Sequence, residues 1–224
     1  MKPMAPEVWQ LPLLPRNGIN AYLVGDVLVD TGIKQSAGTI ARSLEGRTVS
    51  AIALTHAHGD HAGAMRQLSE RWNVPIWCGA ADREATETGR LVLAPTISRL
   101  RLGPVANAVA GFDGAPVARS LAEGDSLGSG FTVLDTPGHS PGHVSFWRES
   151  DRTLICGDVF FHMHLLTTVP GLRQPPDLFT PDPAQNRASE RRLAALEPST
   201  VGFGQGPVLR EGAAAQLRGF VSGS

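Results

Sequence analysis

The chain has 224 residues, with 20 Lys and Arg against 21 Asp and Glu, giving a formal charge of −1. Such a balance supplies no global field for nucleic acid, no Lys/Arg run supplies a local one, and no window holds the 18 or so consecutive apolar residues of a membrane span. The N-terminus, MKPMAPEVWQLPLLPRNG, is interrupted by prolines and lacks the apolar run of a secretory signal, so the expectation is a soluble cytoplasmic protein with a small-molecule substrate and without nucleic-acid or membrane partners.

In chain order, NAYLVGDVLVDTG (20–32) alternates β-formers around Gly25-Asp26 and reads as a hairpin ending in a polar loop at Asp30. A helix over 35–45 closes at Gly46, and VSAIALT (49–55) is the nearly all-apolar run of a strand buried on both faces. A helix over 61–72 and a strand over 75–78 follow. The second half gives strands at 131–136, 143–148, 153–158 and 199–203, a helix near 184–196 and a last helix from 211.

These elements form two similar αβ halves joined near 85–115, and one domain over 1–224 with two sheets and outer helices satisfies the pattern. The 25 glycines and 17 prolines fit many tight turns better than a helical bundle. Cys78 and Cys156 each end an apolar run and read as buried thiols. The apolar segment 91–112, with Leu91, Leu93, Ile97, Leu100 and Val105, offers a packed connector, a lid over a site or a homodimer contact, and the oligomeric state stays open.

The chemistry concentrates in THAHGDH, residues 55–61, directly after the buried strand. In an extended strand-end loop His56 and His58 point to one side, while Asp60 and His61, placed at the start of the next helix, turn toward a neighbouring point. Neutral imidazole and carboxylate suit zinc, iron or manganese. DTPGHSPGH (135–143) brings His139 on a rigid loop, and CGDVFF (156–161) brings Asp158 to another strand end.

THAHGDH, TPGH and the Gly-Asp of CGDVFF, in this order, resemble the metallo-β-lactamase-fold hydrolases, and the likeness runs from LVDTG to the final loop. The resemblance implies an α/β (α+β) chain folded as a four-layer αββα sandwich with two metals. His56, His58 and His139 correspond to the first site, Asp60 and His61 to the second, and Asp158 to the bridging carboxylate. Asp30 corresponds to a position beside the site that orients a ligand, and His143 is a companion of the motif but not a ligand.

The family's last motif is a glycine-flanked histidine, and GFGQGP (202–207) falls where it belongs, so Gln205 stands in its place. A carboxamide oxygen is a weaker donor than imidazole; the expectation is that the first site fills while the second is partly empty or takes a more oxophilic ion. His162 and His164 in FFHMH are either a repair of that position or surface histidines. Zinc, one or two ions, is the expected cofactor, with manganese or iron as alternatives.

By the same resemblance the activity is hydrolysis of an ester, thioester, lactone or lactam of a small, partly apolar substrate, with Asp60 orienting the attacking water or accepting its proton. Glyoxalase II-like members share this core but carry a further C-terminal domain, and the only tyrosine here, Tyr22, lies away from where lactonases of the fold carry theirs. The alternatives are a mononuclear-iron persulfide oxidoreductase and a catalytically silent metal- or ligand-binding member.

Overall fold

Strand formation in the first half follows from burial on both faces. Every residue of Asn20–Val24 (β3) and Val27–Val29 (β4) is buried. Leu23 and Leu28 pack on one side of the sheet and Tyr22, Val24, Val27 and Val29 on the other, the two-residue period of a pleated strand. The computed structural model describes residues 1–92 and 111–223.

Among these residues a seven-stranded sheet runs in sequence order through Lys2–Ala5 (β1), Val8–Pro12 (β2), β3, β4, Ala51–Ala53 (β5), Ile76–Gly79 (β6) and Val117–Leu121 (β7). Its first three neighbour pairs are antiparallel and the pairs from β4 to β7 parallel. Ser126–Gly128 (β8), Phe131–Asp135 (β9), Val144–Arg148 (β10), Thr153–Ile155 (β11) and Thr200–Gly202 (β14) form a five-stranded sheet in the order β14-β11-β10-β9-β8. Phe161–Met163 (β12) and Pro170–Arg173 (β13) pair as a separate hairpin.

Helices Ala37–Ser43 (α1), Met65–Trp72 (α2) and Arg83–Thr88 (α3) belong to the first half, and Pro183–Ala195 (α4) and Ala213–Ser222 (α5) to the second. Three apolar layers hold the stack. Ile40, Met65 and Leu68 of the helices pack with Leu23, Leu28 and Ile52; Val27, Val29, Phe131, Phe146 and Ile155 meet between the sheets; Trp147, Leu154 and Val201 pack with Leu193 and Leu217. Three cores between four layers make the αββα sandwich that the sequence led us to expect. Cys78 and Cys156 are buried free thiols, and no helix among the described residues is long and apolar enough to cross a membrane.

Several boundaries differ from the sequence reading. The second helix begins at Met65, so His61 lies in the turn before it. Thr31 donates its N–H to the His61 carbonyl and Gly63 donates to Gly32, which ties this turn to the loop after β4. A Cβ at Gly63 would stand 2.4 Å from the Gly59 carbonyl oxygen and 2.6 Å from the Lys34 nitrogen, so only glycine permits that approach. The strand placed at 153–158 stops at Ile155, leaving Asp158 on the following turn. Of the connector 91–112, residues 93–110, with Leu93, Ile97, Leu100 and Val105, lie outside the described residues.

Candidate metal centre

The site gathers at the carboxyl ends of β4, β5, β9, β11 and β14, each followed by a loop carrying one part of it. His56 Nε2 lies 3.0 Å from His58 Nδ1, which lies 3.0 Å from His139 Nε2. Asp158 Oδ2 faces the same cluster, 3.5 Å from His139 Nε2 and 4.0 Å from His56 Nε2. Its other oxygen, Oδ1, is 3.2 Å from His61 Nε2. Among the described residues the donor atoms form two groups, His56 with His58 and His139, and His56 with His61 and Asp158.

Hydrogen bonds on the outer nitrogens fix the tautomers. Asp30, buried at the end of β4, accepts from the Thr55 backbone N–H and the Thr55 hydroxyl, both at 2.8 Å. With its proton given to Asp30, the Thr55 hydroxyl can only accept from His56 Nδ1, 3.0 Å away, which leaves a lone pair on His56 Nε2. Thr180 likewise donates to the Pro176 carbonyl and accepts from His139 Nδ1 at 3.2 Å, so His139 Nε2 also turns a lone pair inward. Asp30 holds His61 too, through Nδ1 at 2.8 Å.

Two inward lone pairs therefore converge on His58 Nδ1, which has at most one proton to give. Burial holds His56 and His139 well below their ordinary values, with their histidine neighbours adding to the effect, and lowers His58 as well. A neutral, lone-pair-rich cluster with an adjoining carboxylate fits a divalent cation. His56, His58, His139 and Asp158 would hold it.

The second group is different. Burial alone would lower His61, yet Asp158, Asp30 and Asp60 together raise it well above its ordinary value, while burial pushes Asp158 up to about 6 against the pull of His61. Asp60 Oδ2 lies 3.8 Å from His61 Nε2, and its side chain is 40% exposed. Gln205 turns its amide nitrogen inward, donating to Asp60 Oδ2 at 2.9 Å and standing 3.2 Å from His61 Nε2.

His162 and His164 enter neither group. His162 bonds through Nδ1 to the Pro207 carbonyl at 2.7 Å, and His164 Nδ1 accepts from the Thr167 N–H at 3.2 Å. His143 receives the Asp158 N–H on Nε2 at 3.1 Å and pairs Nδ1 with the Thr136 hydroxyl at 2.9 Å, so it holds the carboxylate's backbone.

Sequence reasoning missed Asp82. Fully buried, it accepts from the Ala57 N–H (3.0 Å) and Ser140 hydroxyl (2.6 Å) on Oδ2 and from the Gly142 N–H (2.7 Å) on Oδ1. One carboxylate thus ties the loop of His56 and His58 to that of His139. An aspartate before a helix reads as an N-cap, but this side chain makes no cap bond to α3.

A hollow of about 310 Å³ is lined by Phe161, Met163, His164, Leu165, Leu166, Arg173, Gln174 and Pro176. One lining residue, Phe161, also packs edge-on against His139, with ring centroids 6.3 Å apart.

A model of the metallo-beta-lactamase superfamily matches residues 14–205. The probable metallo-hydrolase YflN of Bacillus subtilis (strain 168) is 33% identical over 198 residues, covering 80% of this chain and 75% of that protein. Hydroxyacylglutathione hydrolase of Xylella fastidiosa (strain M23) is 31% identical over 193 residues, which cover 83% of this chain and 58% of that enzyme. The crystal structure of TTHA1623 in a di-iron-bound form superposes with a TM-score of 0.68 and 32% identity, covering 93% of this chain and 98% of that one. With the motif order, the four layers and the histidine-aspartate cluster, these likenesses identify the chain as a member of the metallo-beta-lactamase superfamily.

Proposed function

We propose that this protein hydrolyses the carbonyl of a small, partly apolar ester or thioester, with lactones and lactams as further members of the class. The carrying observation is the inward-facing lone pairs of His56 and His139 at His58, with the part-exposed Asp60 beside the neighbouring His61. A divalent ion held there would supply a nucleophile at neutral pH by drawing the pKa of water toward 7, and would polarise the carbonyl.

The chain's own residues do the rest. Asp60, held by the Gln205 amide and half-open to solvent, orients the attacking water and accepts its proton. Asp30 and Thr55 keep His56 in the tautomer that faces the site. The apolar hollow takes the acyl portion, and Arg173 at its wall meets a negative or polar end. The name of the metallo-hydrolase relative supports metal-dependent hydrolysis, and that of hydroxyacylglutathione hydrolase supports an acyl substrate.

The test is a panel of acyl thioesters, aryl esters, lactones and β-lactams with protein loaded with zinc, manganese or ferrous ion. Thioester or ester turnover is expected, and His139→Ala should reduce it by at least about 100-fold, as loss of a metal ligand removes the nucleophile. No turnover on any member would refute the hydrolase. The di-iron-bound neighbour supports iron as a candidate ion; iron in the purified protein together with oxygen uptake on glutathione persulfide would establish the second reading, a mononuclear-iron persulfide oxidoreductase, instead.

A further inference from the structure

Gln205 is buried, yet one end of its amide has no partner: Oε1 receives no hydrogen bond among the described residues. The nitrogen end faces the site, with Asp60 Oδ2 at 2.9 Å and His61 Nε2 at 3.2 Å. A conjugated amide nitrogen has no lone pair to give a metal, and its two hydrogens carry partial positive charge. We infer that Gln205 closes the second metal position with its own amide, so that the protein holds one ion, at His56, His58, His139 and Asp158. This rests on the reading of the histidine cluster as a metal site, given above.

Three features keep the amide where it is. Rotating it by 180° would set Oε1 against Asp60 Oδ2, two oxygen acceptors with no proton between them, and would take from Asp60 the donor it now has. Withdrawing it is resisted by the backbone: Gln205 accepts from the His162 N–H (2.9 Å), Gly204 donates to Gly157 (3.0 Å), and Gly206 donates to Asn17 (2.8 Å). From β3, Asn20 Nδ2 reaches the carbonyls of Phe203 and Gly206 at 3.0 and 2.8 Å, and the Tyr22 hydroxyl donates to Phe203 at 2.8 Å. The loop is anchored on both sides of Gln205.

The two groups share His56, whose Nδ1 is occupied by Thr55 and whose Nε2 already faces His58 and Asp158. One lone pair serves one ion. Apart from the shared His56, the second group has two donors of its own, His61 Nε2 and Asp158 Oδ1, the latter buried without a hydrogen-bond partner among the described residues, and the Gln205 amide nitrogen adds none. Asp60, the carboxylate left over, belongs to neither group and is bonded to Gln205 instead.

Zinc and manganese each give the test. Protein stripped with chelator is dialysed against either metal, and bound metal per chain is read by elemental analysis and by calorimetric titration, neither of which needs turnover. One equivalent is expected for the native chain, and two for Gln205→His, which exchanges the blocking amide for an imidazole ligand. Two equivalents in the native chain would overturn the inference, and so would one in Gln205→His, since the amide would then not be what limits the count. Failure of the native chain to bind either metal would instead strike the metal-site reading on which the inference rests.

Discussion

At the residue scale, the candidate site depends on the groups that hold its histidines as much as on the histidine nitrogens themselves. Asp82 is the clearest case, because its three acceptor bonds are divided between the two loops that carry His56, His58 and His139. In Asp82→Asn one oxygen becomes an NH2 that must meet either the Gly142 N–H or the donors from Ala57 and Ser140, a donor-against-donor contact in either orientation. Metal affinity is expected to fall about 10- to 100-fold, the usual cost of losing a group that orients ligands. Zinc titration of the folded variant measures it; unchanged affinity would show that the loops hold their positions without Asp82.

The clustering of His56, His58, His61, His139 and Asp158 was legible because these residues are dense and sit just after apolar strands, whereas Asp60, read with them, falls in neither donor group. Asp82 was not legible, since a single aspartate before a helix carries an ordinary capping signal. The bonding of Gln205 was equally invisible: the sequence showed a glutamine between glycines, and only the fold shows which end of its amide faces Asp60. Gly204 has a legible reason after the fact, as a Cβ there would stand 2.0 Å from Asp158 Oδ1.

At the element scale, strands buried on both faces were readable from apolar runs, and the ones missed are those where that pattern weakens. β1 carries Pro3 at the margin of the large sheet, a place where proline is tolerated because an edge strand needs fewer donors. β12 and β13 form a two-stranded hairpin whose second strand is exposed to half-buried, so neither period nor burial marks it. Helix α2 starts late because tertiary bonds hold His61 in the preceding turn, which no local propensity encodes.

Helix α4 carries its own pH signature. Glu190 is buried between Asn186 and Gln174, and burial pushes its carboxyl up to about 7. A raised carboxylate pKa means that the folded state binds more protons than the unfolded state from about pH 4.5 to 7, so stability falls as pH rises through that window. Glu190→Gln removes the buried charge and should stabilise the protein at pH 8 by about 1–2 kcal/mol, a few degrees in Tm for a chain of this size, with little change at pH 4.5. Thermal melts at the two pH values test the sign; equal shifts at both would contradict it.

At the scale of the whole molecule, the two sheets and their outer helices serve to bring five strand ends to one edge, where loops from both halves meet. Neither half could build the site alone: His56, His58 and His61 come from the first, and His139, Asp158 and Gln205 from the second. The order βαβ, hairpins, helix made the layers legible, because each apolar run had to be covered on two sides. The pairing of loops across the halves is a tertiary fact, and it was accessible beforehand only through the resemblance to a family.

The central claim is metal-dependent hydrolysis at a single three-histidine centre. Its most direct measurement is the rate of thioester or ester hydrolysis by chelator-stripped protein as zinc, manganese or ferrous ion is returned in known equivalents. We predict no turnover in the stripped protein and, with at least one of these metals, a rate that rises in proportion to added metal and levels at one equivalent per chain. Turnover that survives stripping, or none with any of the three metals, would contradict the account.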